Sequence, residues 1–324
     1  LLEVKNLSVH YRTKKGEVSA LENVSFSLER GQALGLVGES GCGKTTLALT
    51  LMRLFAENGY IKSGQMLFNG QDLVTLNEEQ MRQVRWKGIS MVFQAAMNTL
   101  NPVYRVGDQI IEAIQNHEST SYEAARARVA ELFELVGINA TRIDSYPHEY
   151  SGGMRQRAVI AMALACYPAL IIADEPTTAL DVIVQDRILK RMDELRRQLN
   201  MAMIYISHDI AVIAEVSEMV GVMYAGKMVE FGPTDDIFKR PQHPYTVALM
   251  SSFPSIRGEK HDLFTIPGEP PNLLKPPAGC RFHPRCPYAS ETCEQSEPAL
   301  ELRDERHSVA CWHPVKEKAK VRAS

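Results

Sequence analysis

The 324-residue chain lacks a long unbroken hydrophobic run, a large charge excess of either sign, an internal repeat and a closely spaced cysteine pair. Its longest apolar stretch, Ala158 to Ala173, is interrupted by Pro168 and runs straight into Asp174. A membrane-spanning helix needs about 20 apolar residues without such a break, so this stretch reads as a buried helix followed by a buried strand. A net charge of -3 supplies no global basic field, which argues against nucleic acid as the partner. The N-terminus lacks the basic-then-apolar layout of a secretion signal. A cytosolic chain is therefore expected, with any membrane association running through a partner. Cysteine is sparse in the body, at Cys42 and Cys166, and crowded near the end, at Cys280, Cys286, Cys293 and Cys311.

What is present is ordinary soluble composition, 45% hydrophobic and 23% charged, with length for about two domains. From Leu2 to Glu29 apolar and polar residues alternate as in strands, around Val4, Leu7 and Val9. The short apolar run Ala33 to Val37 predicts a buried strand, and a helix follows from about Lys44 through Phe55. Ile89 to Phe93 is a further strand. Between Ala95 and Ala165 the pattern turns helical, with a capping box at Thr120 and Glu123. Behind it Ala125, Val129, Leu132, Phe133 and Val136 share a face, and Gly137 ends the run. Strand Leu170 to Asp174, a helix striped by Val184, Ile188, Met192, Leu195 and Leu199, and strand AMIYIS then alternate. That order predicts a largely parallel α/β sheet, closed by a hairpin of MVGVMY and KMVEF around Ala225-Gly226. Beyond Gly232 the chain is proline-rich and weakly periodic, as in an extended arm leading to the cysteines.

Gly38 to Thr45 reads GESGCGKT, a G-x-x-x-x-G-K-[ST] loop between a predicted strand and a predicted helix. Its glycines let the N–H groups of Gly38, Glu39, Ser40, Gly41, Cys42 and Gly43 turn inward toward phosphate oxygens, with those of the helix start at Lys44, Thr45 and Thr46. Lys44 is placed to reach the β- and γ-phosphates, the Thr45 hydroxyl to ligate Mg²⁺, and the helix start adds positive potential. Asp174 and Glu175 end an apolar strand, where one carboxylate suits the Mg²⁺ shell and the other an attacking water. Gln94 and His208 stand at the ends of two other strands, where α/β proteins bind ligands. Gln94 suits Mg²⁺ or the water, and His208 the γ-phosphate. Tyr11 ends the first strand and offers a ring for adenine. A solvated strand end or a packed ring is the plainer reading of each alone. Ser151-Gly152-Gly153 combines a small N-cap residue with bare glycines, exposing donors at a positive helix end.

Together these residues resemble the nucleotide-binding subunits of ABC transporters, over nearly the whole chain. The resemblance implies a RecA-like P-loop core at residues 1–94 and 166–232, with antiparallel N-terminal strands. It also implies a helical subdomain at 95–165 and a Cys-rich extension at 233–324. On it, Tyr11 stacks adenine, Gly38 to Thr45 is Walker A, Gln94 the Q-loop, Leu170 to Asp174 Walker B and Glu175 the general base. Ala179-Leu180-Asp181 is the D-loop, and His208 the switch histidine. Ser151-Gly152-Gly153 is the signature, facing ATP bound by a second subunit; Met154 replaces the usual glutamine there. FQAAMNTLNPV after Gln94, and HPYT at His243 to Thr246, are similar to the peptide importer branch, with nickel importers as near relatives. The implied partners are two permease subunits near Ala95 to Pro102, a second ATP-binding subunit and an external binding protein. Alanine at 95 and 96 departs from the branch's usual polar or proline residues.

The tail spacing, Cys280-x5-Cys286-x6-Cys293-x17-Cys311, leaves an iron–sulfur cluster, a zinc site and unligated thiols open. His283, His307 and His313 keep mixed zinc ligation among them. The importer resemblance implies a [4Fe–4S] cluster stapling the arm. Cys42 and Cys166 read as a loop residue and a core residue. Two other function classes compete with a transport ATPase. A nucleic-acid-handling ATPase would carry a coiled-coil insertion, paired cassettes or a basic patch, and none is visible. A non-hydrolysing regulatory module would not need Glu175 and His208.

Overall fold

Alternation in the opening segment becomes pleat. In the computed structural model, which describes residues 1–94, 99–177, 181–251 and 266–315, the first two strands are β1 (Leu2–Thr13) and β2 (Gly16–Leu28). Next come β3 (Ala33–Val37), β4 (Gly59–Phe68), β5 (Gln71–Asp72), β6 (Ile89–Val92), β7 (Leu170–Asp174) and β8 (Ala202–Ile206). The last are β9 (Met219–Tyr224), β10 (Lys227–Pro233), β11 (Glu301–Asp304) and β12 (His307–Val309). The chain divides into two units, Leu1–Leu28 with Leu34–Val74 and Ile206–Ser324, and Glu29–Ala33 with Thr75–Tyr205.

In the first unit β1 pairs antiparallel with β2 on one side and β4 on the other, giving the order β2-β1-β4-β5. The alternating side chains Val4, Leu7, Val9, Leu21 and Val24 are buried. Register slips between Val4 and Leu7, where Asn6 takes a left-handed backbone (φ 47), a conformation asparagine tolerates. A second sheet in this unit runs β11-β12-β10-β9-β3. Here β3 is parallel to β9, from Leu34 against Met219 to Val37 against Val222. Both strands are buried along their whole length, as their unbroken apolar runs require. The β9–β10 hairpin turns at Ala225 and Gly226, both at positive φ.

Two sequence expectations in this unit are corrected. The helix after the glycine loop spans only Lys44–Leu51; Arg53, at φ 50, leaves the helical region before the apolar pattern ends. The segment after Gly232 is not simply an extended arm, for it forms helices Thr234–Lys239 and Pro244–Ser251. Its end returns as β12, antiparallel to β10 with Glu230 opposite Val309. Pro244–Ser251 escaped notice because its burial comes from partners far along the chain. Tyr245 lies 4.6 Å from the Tyr224 ring and 5.4 Å from Phe282. No amphipathic stripe records such contacts.

In the second unit the strands run β8-β7-β6, with β6 parallel to β7 from Ile89 opposite Leu170 to Val92 opposite Ala173. Its helices include Val106–His117, Tyr122–Leu135, Gly152–Leu164 and Val182–Gln198. Ala125, Val129, Leu132, Phe133 and Val136 are all buried. The cap of that helix is Ser121, whose hydroxyl accepts from Ala124 N, rather than Thr120. The helix starts one residue later, and the expected Thr120/Glu123 capping box is corrected to a simple serine cap, since residue 124 is alanine. On Val182–Gln198 the stripe holds at Ile188, Met192 and Leu195, whereas Leu199 is 38% exposed. Among the described residues no helix is long and apolar enough to cross a membrane.

Candidate nucleotide site and a cysteine-lined pocket

β3 delivers the chain into the glycine loop. A side chain on Gly38 (φ 146) would come 2.1 Å from the Met223 carbonyl. Gly43 is left-handed at φ 107, and a Cβ there would meet the Ala20 carbonyl at 2.9 Å. Only glycine closes this turn. Lys44 is buried, its ammonium donating to the Gly38 carbonyl at 2.7 Å and the Glu39 carbonyl at 3.1 Å. Ser40, Gly41 and Thr45 are exposed, and Gly43 and Thr46 are half-buried. The Cys42 thiol is buried, and burial pushes its pKa up, so it is a protonated packing group. Tyr11 is half-buried on β1, with its ring edge against Gly59. His208 is exposed in the turn before helix Ile210–Val216, which Asp209 caps.

Parallel register sets the acidic group of the second unit. β6 and β7 end side by side, which brings Gln94 to Glu175: Gln94 Nε2 donates to Glu175 Oε2 at 2.9 Å. Asp174 is 2% exposed. Glu175 sits at φ 48, an uncommon conformation for a non-glycine residue and one that clusters at functional sites. Gln156 of the helix Gly152–Leu164 donates its amide to the Pro176 carbonyl, which ties that helix to the acidic turn. Ser151 caps the same helix, accepting from Met154 N at 3.3 Å. Gly153 faces Val184, where an added Cβ would come to 3.0 Å. Asp181 caps Val182–Gln198, accepting from Val184 N at 3.0 Å. Ala179 and Leu180, expected to form the D-loop, and Ala95 to Asn98, expected near the permease contact, lie outside the described residues.

Cys280, Cys286, Cys293 and Cys311 line one pocket with His243, His283, His313 and the apolar Phe282 and Trp312. Burial pushes the Cys286 thiol up to about 11 and that of Cys311 to about 12. Among the described residues no three His, Cys, Asp or Glu side chains stand close enough to share a metal ion. His307 is not among the pocket residues; it is buried and bonded through Nε2 to Glu230 at 2.7 Å. Cys166, buried and outside the pocket, is a core residue as expected.

Sequence reasoning missed the contacts that hold the glycine loop from behind. Arg285 forks onto the Glu39 carboxylate at 2.7 and 3.0 Å, and Glu39 N donates to the Tyr245 hydroxyl at 2.9 Å. The Glu39 contact keeps Arg285 firmly charged. Both partners lay in plain view, one between cysteines and one in the HPYT motif. Nothing local pointed either of them at the loop.

The fold is that of an ABC transporter cassette. The chain aligns with the dimeric bacterial ABC transporter cassette MJ0796 at a TM-score of 0.65 and 24% identity, covering 72% of this chain and 99% of that one. With cbiO1 of Clostridium perfringens, part of the ABC transporter complex cbiONQ, the TM-score is 0.64 at 26% identity, covering 74% and 90%. The ABC transporter profile matches residues 21–178, and that of the oligopeptide/dipeptide transporter C-terminal region residues 229–293. The oligopeptide transport ATP-binding protein OppD of Bacillus subtilis is 48% identical over 97% of this chain and 89% of its own length. The dipeptide transport ATP-binding protein DppD of the same organism is 45% identical over 96% and 94%. The chain belongs to the ABC transporter ATP-binding family, in its oligopeptide/dipeptide branch.

Proposed function

We infer that this chain is the ATP-hydrolysing subunit of an importer of dipeptides or oligopeptides, working at the cytoplasmic face of the cell membrane. The observation that carries the reading is near-full-length identity to OppD and DppD, joined to an intact glycine loop and an acidic strand end. Tyr11 stacks adenine. The glycine-loop amides that follow Glu39, whose own N–H is taken by Tyr245, and Lys44 hold the phosphates. Glu175 draws the proton from the attacking water, and His208 contacts the γ-phosphate. Phosphoryl transfer needs positioning and charge neutralisation more than covalent chemistry, and these residues supply both. The Thr45 hydroxyl, the Gln94 amide oxygen and the Asp174 carboxylate are hard oxygen donors, which suits Mg²⁺. In supporting that ion, the Gln94 bond to Glu175 uses its nitrogen and leaves the oxygen as the acceptor end. Mg²⁺ supplies charge neutralisation at the phosphates when bound.

Ser151, Gly152, Gly153 and Asp181 complete the ATP site of a second ATP-binding subunit, which completes this one in return. ATP joins the two and hydrolysis releases them, driving two permease subunits fed by an external binding protein. Nucleic acid has no part in it. ATP-dependent uptake of di- and oligopeptides by the reconstituted complex tests the reading; uptake of nickel but not peptide would redirect it to the related importers.

The cysteine pocket is read as a [4Fe–4S] site, with Cys280, Cys286, Cys293 and Cys311 as ligands. What supports it is four thiols on one pocket; burial pushes those of Cys280, Cys286 and Cys311 up, a cost that coordination removes. Among the described residues no three His, Cys, Asp or Glu side chains are grouped to hold an ion, which favours neither zinc nor a cluster. Iron and sulfide in anaerobically purified protein, with absorption near about 400 nm, would support the cluster; stoichiometric zinc without iron would remove it.

A further inference from the structure

Glu39 is held at every polar group it has. Its carboxylate takes the Arg285 fork at 2.7 and 3.0 Å, its N–H donates to Tyr245 Oη at 2.9 Å, and its carbonyl accepts from Lys44 at 3.1 Å. Arg285 is itself buried and fixed, donating to the Pro267 carbonyl at 2.7 Å, the Gly268 carbonyl at 3.2 Å and the Tyr224 hydroxyl at 3.2 Å. Tyr224, Tyr245 and Phe282 pack ring to ring beneath it, at 4.6 to 5.4 Å between centroids. Partners more than 200 residues away in sequence thus converge on one residue of the phosphate loop.

A partly buried ion pair is weak evidence for stability, because desolvation offsets the attraction. A planar fork onto a carboxylate does fix geometry. We propose that Arg285, together with Tyr245, is a positioning residue for nucleotide binding: it locks Glu39, and through it the start of the loop, in the shape that cradles phosphate. Because the Glu39 amide is occupied by Tyr245, the anion falls to the amides that follow it, and their direction depends on where Glu39 is pinned. The rival account is a fastener that merely holds the C-terminal segment down. The proposal rests on ATP being the ligand of this loop.

The test uses the full-length chain and Arg285→Gln, Arg285→Lys, Glu39→Gln and the Arg285→Gln/Glu39→Gln pair. Affinity is measured by titration with a fluorescent ATP analogue and Mg²⁺, alongside thermal unfolding and steady-state ATPase. Each single Gln variant is expected to weaken binding roughly tenfold, the scale of a small misplacement of a binding group, and to raise KM more than it lowers kcat. The pair should match either single variant, since both remove one interaction. Arg285→Lys should recover little, because an ammonium cannot make the fork. Glu297→Gln, which loses a bond to Lys227 elsewhere in the same segment, should bind ATP as the parent does. Parental affinity in Glu39→Gln with a lowered melting temperature would overturn the proposal, and that variant decides the matter if Arg285→Gln does not fold. A parent chain that binds no nucleotide would instead overturn the ATP reading itself.

Discussion

The glycine loop at Gly38 to Thr45 and the acidic turn at Asp174 to Glu175 hold their chemistry in opposite ways. The loop takes its shape from glycines that no other residue can replace, and is then pinned by Arg285 and Tyr245 from far along the chain. The acidic turn takes its shape from strand register: β6 and β7 end together, so Gln94 meets Glu175 through the sheet itself rather than through a side-chain fork from the C-terminal segment. One arrangement fixes donors for a charge already present on the ligand. The other sets a carboxylate, in a rare backbone conformation, beside a hydrogen-bond partner. We therefore expect damage at the loop to appear as lost affinity, and damage at the turn as lost rate.

The largest expected effect is at the turn. Glu175→Gln should lower kcat about a thousandfold, within the range for removing a general base, with ATP affinity intact; steady-state kinetics and titration on one preparation check both. Next comes acid stability, which belongs to the pinning side of the comparison. His243 is wholly buried, and its Nδ1 accepts from Tyr245 N at 3.0 Å. Burial depresses its pKa from 6.5 to about 4, against the opposing pull of Glu230. Between these values the unfolded chain binds a proton that the folded protein refuses. The stabilisation is full above pH 6.5 and is lost as pH falls toward 4, about 3 kcal/mol in all. Denaturant unfolding at pH 7 and pH 4 should show that loss, and His243→Asn should flatten the dependence.

Lys44→Ala comes third, weakening ATP about fiftyfold, as befits loss of charge-assisted hydrogen bonds; kcat at saturation should change less than affinity. Smallest is Ser151→Ala, which removes a helix cap worth about 1 kcal/mol, read as a modest fall in melting temperature. An equal effect of Lys44→Ala on rate and affinity would blur the contrast between loop and turn.

How legible all this was in the sequence follows the same division. Motifs built from neighbouring residues could be read directly: the glycine loop, the Asp174-Glu175 strand end and the Ser151 cap are local patterns with local physical causes. Strands β3, β6, β7 and β8 were equally plain, because buried parallel strands are written as short apolar runs. What escaped was set by tertiary partners. The Pro244–Ser251 helix buries Tyr245 and Thr246 against rings from elsewhere, so no helical stripe marks it. Strand β12 is short and pairs through two residue contacts with β10. His307 looked like a metal ligand by proximity to cysteines, yet Glu230, buried on β10, claims it. Arg285, between Cys280 and Cys286, carries no local pattern, and only the fold brings it to Glu39.

The division between affinity and rate is tested most directly by titrating Glu175→Gln and Lys44→Ala with ATP and Mg²⁺ on matched preparations and following single-turnover hydrolysis in each. The account predicts parental affinity with almost no hydrolysis for Glu175→Gln, and weak binding with near-parental hydrolysis of what is bound for Lys44→Ala. Weak binding by Glu175→Gln, or hydrolysis by it at the parental rate, would contradict it.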